Sequence, residues 1–166
     1  MLTKRSGGMA YTQKKYIHGA PPPRISRFTL GDTSAEFEYA VSLVAQEAAN
    51  ITGRALEAAR VAANQVLSRR IGGRQYRLKI RLYPHEVVRE HRFMGFAGAD
   101  RLSQGMRGAF GKPRGRSARV KRGQAVITVS VNEDKIDVAM VALKRASAKL
   151  PTRCRIVTEK SKLIDR

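Results

Sequence analysis

Residues 75–83 read Gln-Tyr-Arg-Leu-Lys-Ile-Arg-Leu-Tyr, and the alternation within this stretch decides the class of fold. The apolar residues fall on the even positions from 76 to 82, and polar residues separate them. Because successive side chains of a strand point to opposite faces of a sheet, this period predicts a strand that is buried on one face only. Its exposed face then carries three cations, Arg77, Lys79 and Arg81.

Two helices are predicted on the N-terminal side of this strand. A capping-box pattern at residues 33–36, followed by apolar residues at helical spacing over 37–48, predicts the first. The second is predicted over residues 54–70, because cations in a last turn and a following glycine, here Gly72, suit a helix C-terminus. The residues predicted to face the core from this second helix are Leu56, Ala59, Ala63, Val66 and Leu67.

The remaining pattern adds a third helix and four further strands. The third helix is capped by Asn132, ends before Pro151 and has an apolar stripe of Ile136, Ala139, Met140, Leu143 and Leu150. The further strands are predicted over residues 24–30, 86–92, 124–131 and 153–158. Strands and helices mixed in this order predict an α+β sandwich, with helices on one face of a largely antiparallel sheet. The length of 166 residues suits a single domain over residues 1–166.

The charge of the chain indicates a polyanionic partner. Thirty-three Lys and Arg against thirteen Asp and Glu give a formal net charge of +20, while 42% of the residues are hydrophobic and can fill a core. A compact domain with this charge repels itself unless a polyanion neutralises it, and nucleic acid does so by accepting cations along its phosphates. A membrane surface is the rival, but no stretch reaches the roughly 18 apolar residues of a spanning helix.

An extended basic arm is predicted over residues 1–23. Its cations alternate with two aromatic residues, and it closes on three prolines at 21–23, which favour extended geometry. The apolar content is too low for the arm to pack alone, so we expect a partner to order it. The cations and aromatic residues of the arm are Lys4, Arg5, Tyr11, Lys14, Lys15 and Tyr16.

A long Gly/Arg-rich loop is predicted over residues 94–123. Seven glycines and eight cations face a single acid, Asp100, and aliphatic residues are sparse. A flexible cationic loop of this kind allows close backbone approach to phosphates, and Met106 and Phe110 are available to contact bases. A merely solvated loop remains the alternative. With Arg69, Arg70 and Arg74, the loop and the strand face form a basic block that favours RNA contact over a solvated surface.

The sequence gives no positive case for an enzyme, a cofactor or a small-molecule substrate. Residues 105–113 lack the spacing of a mononucleotide-binding loop, because five residues instead of four precede the Gly-Lys pair and proline follows it. His85 and His91 match no metal-ligand spacing, and Cys154 has no second cysteine, which predicts a free thiol in a reducing compartment. The first residues lack an apolar signal segment, so secretion is not expected.

Four separated motifs resemble one protein family. They are AYTQKKYI at 10–17, ALEAARVAAN at 55–64, YRLKIR at 76–81 with YPH at 83–85, and GADRL at 98–102 with GMRGAFGKP at 105–113. The chain is similar, over nearly its whole length, to the universal large-subunit ribosomal protein family called L-ten-e in archaea and eukaryotes and L-sixteen in bacteria. Its short C-terminal end resembles an archaeal member most.

The resemblance implies a fold, partners and a position in the cell. The fold would be an α/β-hammerhead type of sandwich, and the protein would be cytoplasmic and ribosome-bound beside neighbouring ribosomal proteins. It would bind large-subunit rRNA between the central protuberance and the peptidyl transferase region, and it would not be a catalyst. The residues implied to lie on rRNA are those of the arm and the basic sheet face, together with Arg24, Arg69, Arg70, Arg74, Arg119, Lys121 and Arg122.

The resemblance also implies that the Gly/Arg-rich loop points towards the A- and P-site tRNAs. The residues implied to lie nearest tRNA are Arg101, Gly105, Met106, Arg107, Gly108, Phe110, Gly111, Lys112, Arg114 and Arg116. Two other classes stay open on the residues alone. One is a free-standing nucleic-acid chaperone or architectural protein, which the same charge would serve; the other is an enzyme acting on RNA.

Overall fold

The computed structural model describes residue 12, residues 14–91 and residues 105–160 of the chain. Eight strands, two α-helices and two short 3-10 helices follow one another within these residues. The strands are β1 (Thr29–Gly31), β2 (Tyr39–Ala45), β3 (Ala49–Thr52), β4 (Arg77–Ile80), β5 (Glu86–Glu90), β6 (Lys112–Val120), β7 (Ala125–Val131) and β8 (Cys154–Lys160). The α-helices are α1 (Gly53–Arg70) and α2 (Ile136–Ser147), and the 3-10 helices are Lys14–Tyr16 and Glu133–Lys135.

A five-stranded antiparallel sheet forms the larger layer, with strand order β1-β4-β7-β2-β8. Its register aligns Leu78 of β4 with Val129 of β7 and Val129 with Val41 of β2, and all three are fully buried. One residue along, Lys79 aligns with Thr128 on the opposite face. The sheet therefore has one apolar face, towards the helices, and one polar face.

A second, three-stranded antiparallel sheet has the order β3-β6-β5. Its middle strand β6 is buried only at the end that pairs with β3, where Ala118 and Val120 are at most 1% exposed. At the other end, β6 pairs with β5 as a hairpin, and residues 105–111, the described part of the connection before β6, are called the hairpin tip.

Helices α1 and α2 pack against each other, and α2 also packs on β2, β7 and β8. Thr52 caps α1, because its hydroxyl oxygen accepts a hydrogen bond from the Ala55 backbone N–H at 3.3 Å. All five residues predicted to face the core from α1 are buried. Within the described residues, neither helix has the length and apolar character that crossing a lipid bilayer requires.

The helix predicted over residues 33–48 is wrong. The Asp32 carboxylate accepts hydrogen bonds from the backbone N–H groups of Ser34 and Ala35, at 2.9 and 3.2 Å, so the capping-box pattern belongs to a turn. The apolar run that follows forms β2, which pairs with β7 on one side and β8 on the other. A strand buried on both faces has apolar residues at almost every position, and its pattern therefore also satisfies helical spacing.

The long loop predicted over residues 94–123 is wrong for residues 112–120, which form β6. Glycine and arginine suppress the apolar alternation that would have indicated a strand. Pairing with β5 and β3 supplies the backbone hydrogen bonds that a loop would have left to solvent. The predicted residues from Met94 to Gln104, including Arg101, lie outside the described residues.

The other predicted elements are confirmed with shifted ends. β4, β5, β7 and β8 lie within or beside the predicted strands, whereas the strand predicted over 24–30 is reduced to β1. Helix α2 forms, but Asn132 precedes a 3-10 turn and its side chain makes no capping hydrogen bond. The α+β class and the antiparallel pairing are thus confirmed.

Candidate nucleic-acid interface

A basic row lies on the polar face of β4, which is the strand next to the sheet edge. Arg77 is half-buried and Lys79 and Arg81 are exposed, as the alternation predicts. No carboxylate of the described residues forms an ion pair with these cations. Each is therefore available for a phosphate contact, on a backbone that the β4–β7 pairing holds rigid.

Three more predicted cations adjoin the start of this row. Arg69 and Arg70 are exposed in the last turn of α1, and Arg74 is exposed in the turn that leads to β4. Helix C-termini carry partial negative charge, so cations are favoured there with or without a ligand. The position is consistent with the prediction that these residues extend the basic row.

The hairpin tip, residues 105–111, presents two large apolar side chains to solvent. Met106 is 81% exposed and Phe110 is 69% exposed, and Arg107 lies between them. Such exposure of a methionine and an aromatic ring in one turn is costly unless a partner covers them. The remaining predicted residues of this region are Lys112 and Arg114, both exposed on β6, and Arg116, which is half-buried.

Arg89 of β5 holds this tip against the hairpin, and sequence reasoning missed it. Its guanidinium carbon lies 3.5 Å from the centre of the Phe110 ring, and its Nη1 donates to the Phe110 carbonyl at 2.7 Å. His91 adds a hydrogen bond from Nε2 to the Gly105 carbonyl at 2.7 Å, and Arg114 forms an ion pair with Glu90. These contacts join residues 105–111 to β5 and to His91.

The arm meets the small sheet at Thr12. The Val87 backbone N–H donates to the Thr12 carbonyl at 2.8 Å, and the Thr12 N–H donates to Glu86 Oε2 at 2.8 Å. Glu86 is only 2% exposed, and its other oxygen lies 3.2 Å from His85 Nε2. A buried carboxylate therefore anchors the arm beside the hairpin. Sequence reasoning missed Glu86 because nothing local distinguishes it from a surface acid.

Other predicted arm residues are described only in part. Tyr16 is 71% exposed, with the Lys15 ammonium 4.8 Å from its ring centre, and Arg24 is exposed. The predicted residues Lys4, Arg5 and Tyr11, and the side chain of Lys14, lie outside the described residues.

The last three predicted cations lie far from the hairpin tip. Arg119 is in the buried half of β6, and Lys121 and Arg122 are exposed in the turn to β7. Since a strand rises about 3.3 Å per residue, Arg119 is roughly 23 Å along the strand from Lys112. The sequence placed these cations in one loop, whereas the structure separates them into two surfaces.

The titratable groups outside these surfaces show no catalytic arrangement among the described residues. Groups of His, Cys, Asp and Glu that could hold a metal ion do not occur there. Burial raises the pKa of the Cys154 thiol, and burial likewise raises the pKa of Tyr76, whose hydroxyl donates to Asn64 Oδ1 at 2.6 Å. A hydrogen bond from Arg60 lowers the pKa of Glu57, and the same contact raises the pKa of Arg60. These groups are structural.

Comparison with known proteins identifies the family. The family model described as "Ribosomal protein L16p/L10e" matches residues 7–157. The chain belongs to this family. It is 51% identical over 150 residues to "Large ribosomal subunit protein uL16" of Archaeoglobus fulgidus, covering 90% of this chain and 86% of the relative.

Further archaeal relatives give the same result. A protein of the same name from Hyperthermus butylicus is 49% identical over 93% of this chain and 86% of its own length. The one from Methanocella arvoryzae is 46% identical over 96% of this chain and 92% of its own length. L16p/L10e proteins are ribosomal proteins and not enzymes, and the similarity to archaeal members matches the sequence prediction.

Proposed function

We propose that the chain is a structural constituent of the large ribosomal subunit in the cytoplasm, held there by large-subunit rRNA and neighbouring ribosomal proteins. Family membership and the names of the relatives support the subunit assignment. The hairpin tip is proposed to face the A- and P-site tRNAs, as the family resemblance implies. The hammerhead description of the fold and the arm as an rRNA contact belong to the same proposal.

The observation that carries rRNA binding is the basic row on β4. Arg77 and Lys79 of β4 and Arg81, which directly follows the strand, stand at alternate positions without a carboxylate partner among the described residues. Their apolar neighbours Leu78 and Ile80 are at most 4% exposed and are anchored in the core. Ordering the row therefore costs little conformational entropy when phosphates bind, because the backbone is already fixed.

Sedimentation of tagged protein with purified large subunits tests this proposal. We expect near one copy per subunit to remain bound through a high-salt wash, because a structured docking site adds fixed contacts to the electrostatic ones. A variant with Arg77→Gln, Lys79→Gln and Arg81→Gln should dissociate at lower salt than the wild type. The matched control replaces Lys144, Arg145 and Lys149, three exposed cations of α2 and the residues after it, by Gln.

Two outcomes contradict the proposal. Release of the wild-type protein into the light fractions would indicate loose polycation binding and favour the free-standing nucleic-acid chaperone. Equal salt resistance of the β4 variant and the control would show that the basic row does not contact rRNA.

A further inference from the structure

A second concentration of cations surrounds Arg122, away from the basic row and the hairpin tip. Arg122, Arg153 and Arg155 line a cleft of about 380 Å³ at one end of the large sheet, together with Ala45, Gln46, Glu47 and Gly123. Of these arginines, only Arg122 was predicted to bind rRNA. Arg153 and Arg155 come from the start of β8, about 30 residues later in the chain.

Backbone hydrogen bonds fix the three segments that form this cleft. The Gly123 N–H donates to the Ala45 carbonyl at 2.8 Å, and the Ala45 N–H donates to the Gln124 carbonyl at 3.0 Å. The Gln46 N–H donates to the Arg153 carbonyl at 2.9 Å. The β2–β3 turn, the β6–β7 turn and the start of β8 are thus locked together, and the arginines project from a rigid base.

The charge of the cleft is strongly positive. All three arginines are exposed, and Glu47 is the acidic residue in the lining. No carboxylate of the described residues forms a salt bridge with the three guanidinium groups. Like charges around one cleft repel one another, so the arrangement costs stability in the free protein and favours an anion between them.

The chemistry of the ligand follows from the side chains. A guanidinium group offers planar paired N–H donors that fit the oxygens of a phosphate, and it keeps its charge at every physiological pH. The cleft is larger than one phosphate and opens to solvent through exposed arginines, which suits consecutive phosphates of a polynucleotide backbone. The described residues of its lining include no aromatic side chain for base stacking, so their contacts are to phosphate and carry no base specificity.

We propose that Arg122, Arg153 and Arg155 grip the sugar-phosphate backbone of rRNA, as a second anchor separate from the basic row on β4. This inference rests on the proposed rRNA binding and adds a site to it. The cleft opens beside β8, while the row lies on β4, with β7 and β2 between them in the sheet. Neighbouring strands are about 4.8 Å apart, so three steps across the sheet separate the anchors by roughly 14 Å at least. Two separate anchors on one rigid sheet fix the orientation of the protein on the rRNA. The basic row alone does not fix that orientation.

The test measures binding of the full-length protein to in-vitro-transcribed large-subunit rRNA over a series of KCl concentrations. The cleft variant carries Arg122→Gln, Arg153→Gln and Arg155→Gln, and the control is the triple Gln variant at Lys144, Arg145 and Lys149. Both lower the net charge by three, so a general charge effect is the same in each. We expect the slope of log K against log [KCl] to fall by about 2–3 for the cleft variant and by less than about 1 for the control.

A third variant, Arg122→Lys, Arg153→Lys and Arg155→Lys, separates the effect of charge from that of side-chain geometry. It should keep most of the salt slope, because the charges remain, yet bind more weakly than wild type, because a lysine lacks the planar fork. Thermal unfolding of the Gln and Lys variants shows whether each is folded. Because the Lys variant retains the three charges, it tests the cleft separately from any misfolding of the Gln variant.

The outcomes distinguish the two proposals. Wild-type protein that binds this rRNA tightly, with a cleft variant indistinguishable from the control, overturns the second anchor and leaves rRNA binding intact. Wild-type protein that does not bind the rRNA overturns both. A selective loss of slope in the cleft variant supports the second anchor.

Discussion

Gly111 shows most clearly how a single residue shapes the proposed interface. Its φ is +76°, in the left-handed region, and a Cβ atom built there would lie 2.7 Å from the Glu90 carbonyl carbon and 2.9 Å from the His91 nitrogen. Gly108, three residues earlier, has a similar φ of +69° but open space around the same position. Comparing alanine substitutions at Gly108 and Gly111 therefore separates the cost of backbone strain, which both share, from the cost of steric contact, which only Gly111 adds.

Replacing Gly111 with alanine should destabilise the protein more than replacing Gly108. Both changes place a Cβ in the left-handed region at a cost of about 1–2 kcal/mol. Gly111→Ala adds a collision with the backbone of β5, for which we expect a further ~1–3 kcal/mol. Urea unfolding of the two variants measures the difference, and equal free energies of unfolding would show that the tip does not pack closely on β5.

At the scale of elements, the hairpin combines a rigid base with an exposed tip. Arg89 covers one side of the Phe110 ring, yet 69% of that side chain remains exposed, and Met106 is covered still less. The tip thus combines a contact with β5 and an open apolar surface, and this combination favours stacking on a base without a large loss of entropy.

Removing the exposed side chains of the tip should impair tRNA binding and leave subunit binding unchanged. In the variant Met106→Ala, Arg107→Ala and Phe110→Ala, the backbone turns of the tip remain. Loss of one stacked contact is worth at least about 1 kcal/mol, so we expect about fivefold weaker tRNA binding to large subunits that carry the variant. Filter binding of A- and P-site tRNA measures this, with the apolar-surface variant Val61→Ala and Val141→Ala as control. Unchanged tRNA binding would contradict the proposed orientation.

Elements with a local signal were predictable from the sequence. For α1 the Ala-rich stripe and the cations before Gly72 gave nearly the observed bounds, and for β4 the alternation gave the exposed cations. β2 was mistaken for a helix because both of its faces are buried. The spacing of its apolar residues therefore does not distinguish a strand from a helix. β6 was missed because its pairing with β5 and β3, and not its composition, makes it a strand.

The candidate sites were likewise predictable only where their residues lie close together in the sequence. The basic row on β4 lies within one strand, and a single stretch of sequence therefore revealed it. The arginine cleft joins a turn after β6 to the start of β8, and Arg89 meets Phe110 across the hairpin. These juxtapositions depend on tertiary pairing, and no local pattern in the sequence encodes them.

At the scale of the whole molecule, a net charge of +20 acts on folding and binding in opposite directions. Self-repulsion destabilises the free protein, and salt screens that repulsion. The same salt weakens contacts with phosphates through the loss of counterion release.

Raising NaCl from about 0.05 to 0.5 M should therefore increase the free energy of unfolding of the free protein, while rRNA affinity falls over the same range. Urea titrations at each salt concentration measure the first effect. The triple Gln variant at Lys144, Arg145 and Lys149 should respond less, because three charges are missing from the repulsion. Stability that decreases with NaCl would show that net repulsion is not the dominant electrostatic effect in the fold.

The position of β8 in the sheet also has a consequence for synthesis of the chain. β2 is complete by Ala45, but its second neighbour, β8, begins only at Cys154. For more than a hundred residues of translation, a nearly continuous apolar strand keeps one edge unpaired, and unpaired apolar edges are templates for aggregation. Pairing across so long a separation is also slow, because loop closure must precede any gain from contacts. The interval between emergence of β2 and docking of β8 is therefore when a newly made copy is most vulnerable, and its length depends on how fast the intervening residues are translated.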